Sequence, residues 1–438
     1  MDVGLFEPTP LDQIEDLHHE GLPFYQPALY VPGELLVRKG AEKEAGRVLD
    51  GMGIDSIRRD VGPGGLTCYL VPTRNVPDLA LEVETRIRGS KRRTAAAAPA
   101  SDSDQTYGNR DDTNIRLQLD DMGLRPDQPT YVGPNHLYTP TPVCGVGPAD
   151  EPVPAAPIPP PRGTAGKGVR VAIIDTGIFT DVSQHPWLAA DVHYSLSDIE
   201  PPDADGNGII DYVSGHGHFV AGIVRTVAPK ATIFVERLFH CGKAINEWEL
   251  NRKLHEVIDA KPHIINLSLT GQSWNGTTPP GLADVWRRLK KMDPEIVVVA
   301  AAGNAGNNQP FWPAAQPGVV AVGAVNDSFQ LPAHPNDFSN YGPWVTVYAR
   351  GVRVVNAFTT GKLKYELSSG TATFTKPFCS WSGTSFATPH VTGKIAARMT
   401  STTPHLSAAV ARDRVIADAK ITSPSTLAPD SSPVYVVK

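Results

Sequence analysis

Val171-Ala172-Ile173-Ile174-Asp175-Thr176-Gly177 is a short apolar run that closes on a carboxylate and a glycine. Such a run reads as a strand buried on both faces, as in a parallel sheet covered by helices. Asp175 then falls at the carboxyl end of the strand, where open α/β sheets carry their sites. The fragment equally suits an Asp that only caps the next turn, since Asp is a common turn residue. Its surroundings separate the two readings. Residues 232–235, 264–269, 296–301 and 319–325 are further short apolar runs, with helical stretches at 250–260 and 282–291 between them. The pattern predicts a doubly wound, mostly parallel α/β sheet with helices on both faces.

At 438 residues the chain exceeds the size at which one hydrophobic core usually stops growing, so a large and a small folded unit are expected. A hydrophobic fraction of 41% and a charged fraction of 20% are those of a globular chain. The net charge of −6 offers no basic field for a phosphate backbone, which argues against nucleic acid as a partner. Apolar runs such as 296–302 fall far short of the roughly 20 residues that span a bilayer, so no membrane association is expected. The start, MDVGLFEPTPLDQIEDLHHE, has neither a positive beginning nor a continuous apolar stretch, so no signal peptide is read; a cytoplasmic location or unconventional export is expected. Cys68, Cys144, Cys241 and Cys379 lack CxxC or zinc-finger spacing and read as free thiols.

Residues 1–30 read as a loose leader. A strand at 33–38, a helix at 42–52, strands at 54–61 and 66–71 around Gly62-Pro63-Gly64-Gly65, a helix at 76–88 and a last strand at 130–138 predict a small α/β unit over 31–140. Within it, residues 90–113 are rich in Ala, Ser, Asp and basic residues and are expected to be a disordered insertion. Residues 141–166, containing PAAPIPPP, read as a stiff extended linker, followed by the large unit at 167–420 and a tail at 421–438.

Gly215-His216-Gly217-His218-Phe219-Val220-Ala221-Gly222 sets a histidine between glycines, so its ring can meet a substrate without crowding; His216 is the better base and His218 a decoy. Histidines at i and i+2 without a carboxylate or thiol at helical spacing make a poor zinc site. Ser382-Gly383-Thr384-Ser385-Phe386-Ala387-Thr388-Pro389-His390-Val391-Thr392-Gly393 places a serine where a helix opens near Phe386. The backbone N–H groups and dipole at such a terminus favour negative charge on a reacting oxygen.

Together DTG, HGHFVAG and GTSFATPHVTG, in the order Asp, His, Ser, resemble the three signatures of the subtilisin family, over roughly residues 166–420. The resemblance implies a subtilisin-like serine endopeptidase acting on polypeptides, with Asp175, His216 and Ser385 as catalytic triad and an acyl-enzyme intermediate. It also implies that Asn304 and the Ser385 N–H form the oxyanion hole. Asn266-Leu267-Ser268-Leu269 resembles the strand that pairs with substrate backbone, and Ala301-Ala302-Gly303-Asn304 the oxyanion segment, so Ser268, Leu269, Thr270, Ala302 and Gly303 are expected to contact substrate. His218 and Phe219 stand where the family has Thr and His, and Arg350 where it has Pro. Phe311 and Trp312 lie where the family shapes its first specificity pocket, and either narrow it or pack into its wall.

Asp203, Asp205, Asn207 and Asp211 alternate around Gly206 as in the first part of an EF-hand loop, although Ser214 stands where the closing Glu would be. The expected occupant is a structural calcium ion, a solvated acidic turn being the alternative. The small unit resembles an inhibitory, ferredoxin-like prodomain, and the enzyme is expected to be a monomeric, self-processing zymogen; an accessory folding or docking domain is the other reading. Competing functions are a peptide ligase or macrocyclase using the same triad, a non-catalytic pseudoprotease and an adhesive scaffold. No triad or oxyanion residue is missing, and no large insertion of the kind that covers cyclase sites is evident.

Overall fold

The computed structural model describes residues 15–16, 29–73, 75–94, 130–139, 150–240, 244–274, 276–328, 338–365, 369–421 and 434–438. The amino-terminal unit runs β1 (Leu29–Val37), α1 (Glu42–Gly51), β2 (Ile57–Val61), β3 (Thr67–Leu70), α2 (Val76–Thr94) and β4 (Val132–Tyr138). Its antiparallel strands lie in the order β4-β1-β3-β2, that of a ferredoxin-like unit. Strand alternation splits β1 between two cores. Leu35 and Val37 face α1 and α2, packing with Ala45, Leu49 and Val83. Leu36 points the other way and meets Leu66, Cys68 and Trp248.

Two expectations about this region change. Glu15–Asp16 pairs antiparallel with Leu29 and Tyr30, so part of the leader is bound into the sheet. The helix α2 runs to Thr94, through the first residues of the expected insertion, its backbone staying helical beyond Ile87, the last apolar position of its pattern. The rest of that insertion lies outside the described residues, as do Cys144 and Cys241; Cys68 is buried, and Cys379 is a free, buried thiol.

The large unit continues with β5 (Arg170–Asp175), β6 (Val192–His193), α3 (His216–Val227), β7 (Thr232–Arg237), α4 (Glu247–Asp259), β8 (Ile264–Leu267), α5 (Pro280–Met292), β9 (Val297–Ala301), β10 (Val320–Val325), β11 (Val347–Arg350), α6 (Thr384–Met399), α7 (Ala408–Asp418), β12 (Lys420–Ile421) and β13 (Tyr435–Val436). Among the described residues the main sheet has the order β12-β13-β11-β10-β9-β8-β5-β7-β6, parallel apart from the β12-β13 pair. Val171 and Ile173 face α3 and α6, packing with Phe219, Ile223, Phe386 and Ile395. Ala172 and Ile174 face α4 and α5, packing with Leu250, Leu254, Leu282 and Val285. After β5 the chain goes first to β6 and β7 on one side and then to β8 on the other. The crevice beyond the carboxyl ends of β5 and β8 is therefore the switch point where such sheets bind ligands.

The expected tail and linker are both part of the structure. Val436 pairs with Tyr348, and the Val437 N–H donates to the Tyr348 carbonyl at 2.8 Å, so the tail supplies a strand that covers the edge of β11 and is itself flanked by β12. Val153–Pro154 pairs antiparallel with Ser380 and Cys379, and the Trp381 indole N–H donates to the Asp150 carbonyl at 2.5 Å. The linker is thus held from Asp150 onward by the open edge of the strand Phe378–Trp381.

The two units exchange aromatic side chains. Trp274 of the large unit sits in the core of the small one, beside Leu35 and Val76, and Tyr138 of the small unit is fully buried in the α4/α5 core. Removing the indole leaves a cavity shared by both. Trp274→Ala is expected to cost about 3–5 kcal/mol of stability, read from the urea midpoint; a shift equivalent to less than about 1 kcal/mol would show that the residue is not a core element.

Candidate active site

The carboxyl end of β5 delivers Asp175, and the first turn of α3 delivers His216. The imidazole Nδ1 lies 2.7 Å from Asp175 Oδ1, with both side chains almost completely buried. The same oxygen accepts the Thr176 N–H at 2.7 Å, and the Gly217 N–H donates to Thr176 Oγ at 2.9 Å. Loop and helix approach so closely that a Cβ on Gly217 would stand 2.6 Å from the Gly177 carbonyl oxygen, which is why a glycine follows the histidine. The rings of Trp381 and Phe386, centred 5.7 and 5.2 Å from that of His216, keep water away from the pair. His216 Nε2 makes no hydrogen bond among the described residues.

Ser385 is the second residue of α6, next to Phe386. Position 389, four residues on, would normally donate its N–H to the Ser385 carbonyl, but Pro389 has none. The carbonyl instead accepts the Ser268 hydroxyl at 2.8 Å, just beyond β8. That hydroxyl accepts from Asn266 Nδ2 at 3.0 Å, and Asn266 Oδ1 accepts the Thr392 hydroxyl at 2.9 Å. This buried chain bolts the start of α6 to the sheet. Ser385 Oγ itself points to the Ser268 carbonyl at 3.4 Å, so the expected hydroxyl bond to His216 is not made in this conformation.

Asn304 follows β9 and is oriented by Thr384, whose N–H and hydroxyl donate to Asn304 Oδ1 at 2.9 and 2.8 Å. The oxygen of the amide is thereby committed, and its NH2 remains as the donor. Asn340 secures the preceding turn by donating from Nδ2 to the Ala302 carbonyl and from its N–H to the Gly303 carbonyl, both at 2.9 Å. Gly303 has a φ of +101°, and a Cβ there would lie 2.2 Å from Phe311, whose ring therefore rests directly on this turn. Across the crevice, Thr270 exchanges two backbone hydrogen bonds of 2.9 Å with Thr139, the residue after β4. The expected substrate-contacting residues Ser268, Leu269, Thr270, Ala302 and Gly303 fall on the segments that follow β8 and β9, the first of which holds the chain's own backbone at Thr270.

His218 is a core histidine. Its Nδ1 accepts the Phe179 N–H at 3.4 Å, its ring lies against Phe179 and His185, and burial holds its pKa well below the usual imidazole range. Arg350, where the family has Pro, pairs with Asp327 at 2.5 Å at the carboxyl end of β11.

In the acidic loop, carboxylate oxygens of Asp203, Asp205 and Asp211 come within 4.8 Å of one another. Asp203 accepts the N–H groups of Asn207 and Gly208 at 3.0 and 2.7 Å, Asp211 that of Ala204 at 2.8 Å, and Asn207 Oδ1 that of Ile209 at 2.8 Å. Hard oxygen donors gathered at this spacing fit a calcium ion. Asn207 Nδ2 is turned to Asp205 at 2.8 Å, so Asn207 belongs to the loop as a turn residue and would have to rotate to act as a ligand.

Three contributors escaped the sequence reading. Thr384, inside the quoted serine motif, has the separate task of holding Asn304. Thr392 reaches back to Asn266, and no spacing rule predicts a hydrogen bond across 126 residues. Glu200 sits beneath the Asp175 turn, in a two-residue strand too short to produce a pattern.

The sequence profile of the subtilase family matches residues 166–432. The chain is 31% identical over 263 residues to a thermostable alkaline protease of Halalkalibacterium halodurans, covering 58% of this chain and 63% of that one. It is 30% identical over 238 residues to thermitase of Thermoactinomyces vulgaris, covering 52% of this chain and 74% of thermitase. A solved cold-adapted subtilisin-like serine proteinase is similar at 21% identity and a TM-score of 0.47, over 62% of this chain and 89% of that one. The alignment thus spans less than two thirds of the alkaline protease's own length. With the profile matching more than half of its residues, this chain belongs to the subtilase family.

Proposed function

We propose that this chain cuts polypeptides through an acyl-enzyme formed on Ser385, with His216 as general base and Asp175 as its partner, and that it is made as a self-processing zymogen. The observation that carries the reading is the buried 2.7 Å His216–Asp175 contact beside the helix terminus that bears Ser385. Asp175 accepts a hydrogen bond from Nδ1–H and leaves Nε2 to take the Ser385 proton once the serine hydroxyl has turned from the Ser268 carbonyl; His216 then returns the proton to the leaving amine. The Asn304 amide and the Ser385 N–H would receive the oxyanion, with Asn304 held ready by Thr384. Water completes hydrolysis of the acyl-enzyme.

The zymogen reading is supported by Thr139, whose backbone pairs with Thr270 as an extended substrate would, and by Asp150, whose carboxylate accepts the Ser382 hydroxyl at 2.5 Å. Residues 140–149 connect these two anchored points and are the proposed region of self-cleavage. Behind them, His136 Nδ1 contacts Glu247 Oε2 at 2.6 Å, and Asn135 Oδ1 caps the Trp248 N–H at 3.1 Å. Such buried polar pairing ties the small unit to α4, in keeping with an inhibitory segment that leaves slowly. Calcium, when bound by Asp203, Asp205 and Asp211, would brace the loop that leads into His216. Among the described residues no helix is long and apolar enough to cross a membrane.

Intact-mass analysis of wild type and Ser385→Ala, incubated for hours with calcium, should show a single cut within residues 140–149 in the wild type only. Splitting in both proteins, or in neither, counts against self-processing. On a generic peptide substrate, Asn304→Ala should lower kcat by about 100- to 1,000-fold with little change in KM, the magnitude established for the oxyanion asparagine of subtilisin itself. A calorimetric titration should show heat on calcium addition to wild type and none to Asp205→Ala; no heat with either would leave a solvated acidic turn.

A further inference from the structure

Glu200 lies in the short strand Ile199–Glu200, which pairs with Ile178–Phe179 directly after the Asp175 turn. It is only 2% exposed. Its Oε2 accepts the Thr176 hydroxyl at 2.9 Å and the Gly215 N–H at 3.0 Å. Thr176 follows Asp175, and Gly215 precedes His216. One carboxylate oxygen thus clasps the residue next to each member of the His–Asp pair, and Thr176 Oγ closes the ring by accepting the Gly217 N–H at 2.9 Å.

A buried carboxylate in this place is an expensive choice if a clamp were all that was needed, because a neutral amide could accept the same donors. The groups that face it are Asp175 at the end of β5, Thr176, Arg237 at the end of β7, and the Gly215 N–H ahead of α3. Arg237 is largely engaged elsewhere, donating from its guanidinium to the Ile199 and Phe239 carbonyls, so it neutralises Glu200 only partly. Burial, opposed by these hydrogen bonds and by Arg237 and reinforced by Asp175, pushes the Glu200 carboxyl up to about 8.

We propose that Glu200 is a positioning residue of the proteolytic centre, which clamps the Asp175 turn to the His216 helix and, when ionised, adds its charge to the field that stabilises the His216 imidazolium. The proposal rests on the triad reading above. It follows that the clamp works at every pH, whereas the electrostatic contribution switches on in the alkaline range. It also follows that stability falls as pH rises from about 4.5 to about 8, since the folded carboxyl keeps its proton through that window and the unfolded one has lost it.

The test compares wild type, Glu200→Ala and Glu200→Gln by pH profile at fixed calcium concentration. Glu200→Ala should lower kcat roughly tenfold throughout, with KM little changed, since one pKa unit of differential stabilisation corresponds to a factor of ten. Glu200→Gln should recover most of that loss at about pH 6, where it mimics the neutral acid, yet lack the further rise in kcat that wild type shows through about pH 8. Its thermal midpoint should also not show the decline with pH across that window. Equal kcat in wild type and Glu200→Ala overturns the clamp, and an alkaline rise that persists in Glu200→Gln overturns the electrostatic role. If Glu200→Ala does not fold, the Glu200→Gln profile still decides. Labelling with a serine-directed fluorophosphonate, lost in Ser385→Ala, checks the triad separately: labelling that survives that substitution refutes the parent reading, whereas intact labelling with unchanged pH profiles refutes only the role of Glu200.

Discussion

The buried hydrogen bond between His216 and Asp175 joins the first strand of the main sheet to the helix that follows the acidic loop, across 41 residues of sequence. A carboxylate and an imidazole removed from water are costly unless their remaining polar atoms are satisfied. Here that satisfaction is partial, since Asp175 Oδ2 and His216 Nε2 have no hydrogen-bond partner among the described residues, and neighbouring donors fix the geometry around them. Thr176 gives its N–H to Asp175 and its hydroxyl to Glu200, while Gly217 and Gly215 give theirs to Thr176 and Glu200. Glycines at 177, 215 and 217 are what allow loop, strand and helix to approach to this distance. The site is therefore a property of a rigid ring of backbone groups, with the side chains set into it.

The same economy governs the other half of the crevice. Pro389 withholds one helical hydrogen bond, and the released Ser385 carbonyl is taken by Ser268, so the helix start is located by the sheet and not by its own first turn. Thr384 uses both its N–H and its hydroxyl to orient Asn304. Thr384 on one side of the proposed nucleophile and Pro389 on the other thus determine where oxygens and donors stand, while the nucleophile's own hydroxyl points to the Ser268 carbonyl. The amino-terminal unit reads this crevice from outside: its last strand continues into the Thr139–Thr270 pairing, and its sheet is extended by Ile245–Asn246, which leads straight into α4.

Much of this was legible beforehand. Unalternating runs such as 171–174 and 297–301 announce strands covered on both faces, and the three signature segments lie on elements that begin or end as expected. The carboxyl-terminal residues were misread as a tail because a two-residue strand carries no periodicity; only an unpaired edge at β11 gives Val436 its place. The linker was misread for the converse reason. Proline-rich composition describes a stiff chain but says nothing about what that chain lies against, and Val153–Pro154 is held by an open strand edge more than 200 residues away.

By itself the sequence determined the fold class, the family and the residue types available for chemistry, because these follow from local periodicity, turn residues and short motifs. The flanking glycines already marked His216 as the base and His218 as the decoy; tertiary structure alone supplied the reason, since the helix rotation sends one toward Asp175 and the other into the Phe179 core. It also decided that Glu200 adjoins the centre and that Trp274 completes a core in the other unit. Those contacts join segments with no common local pattern, and close packing, not sequence proximity, brings them together.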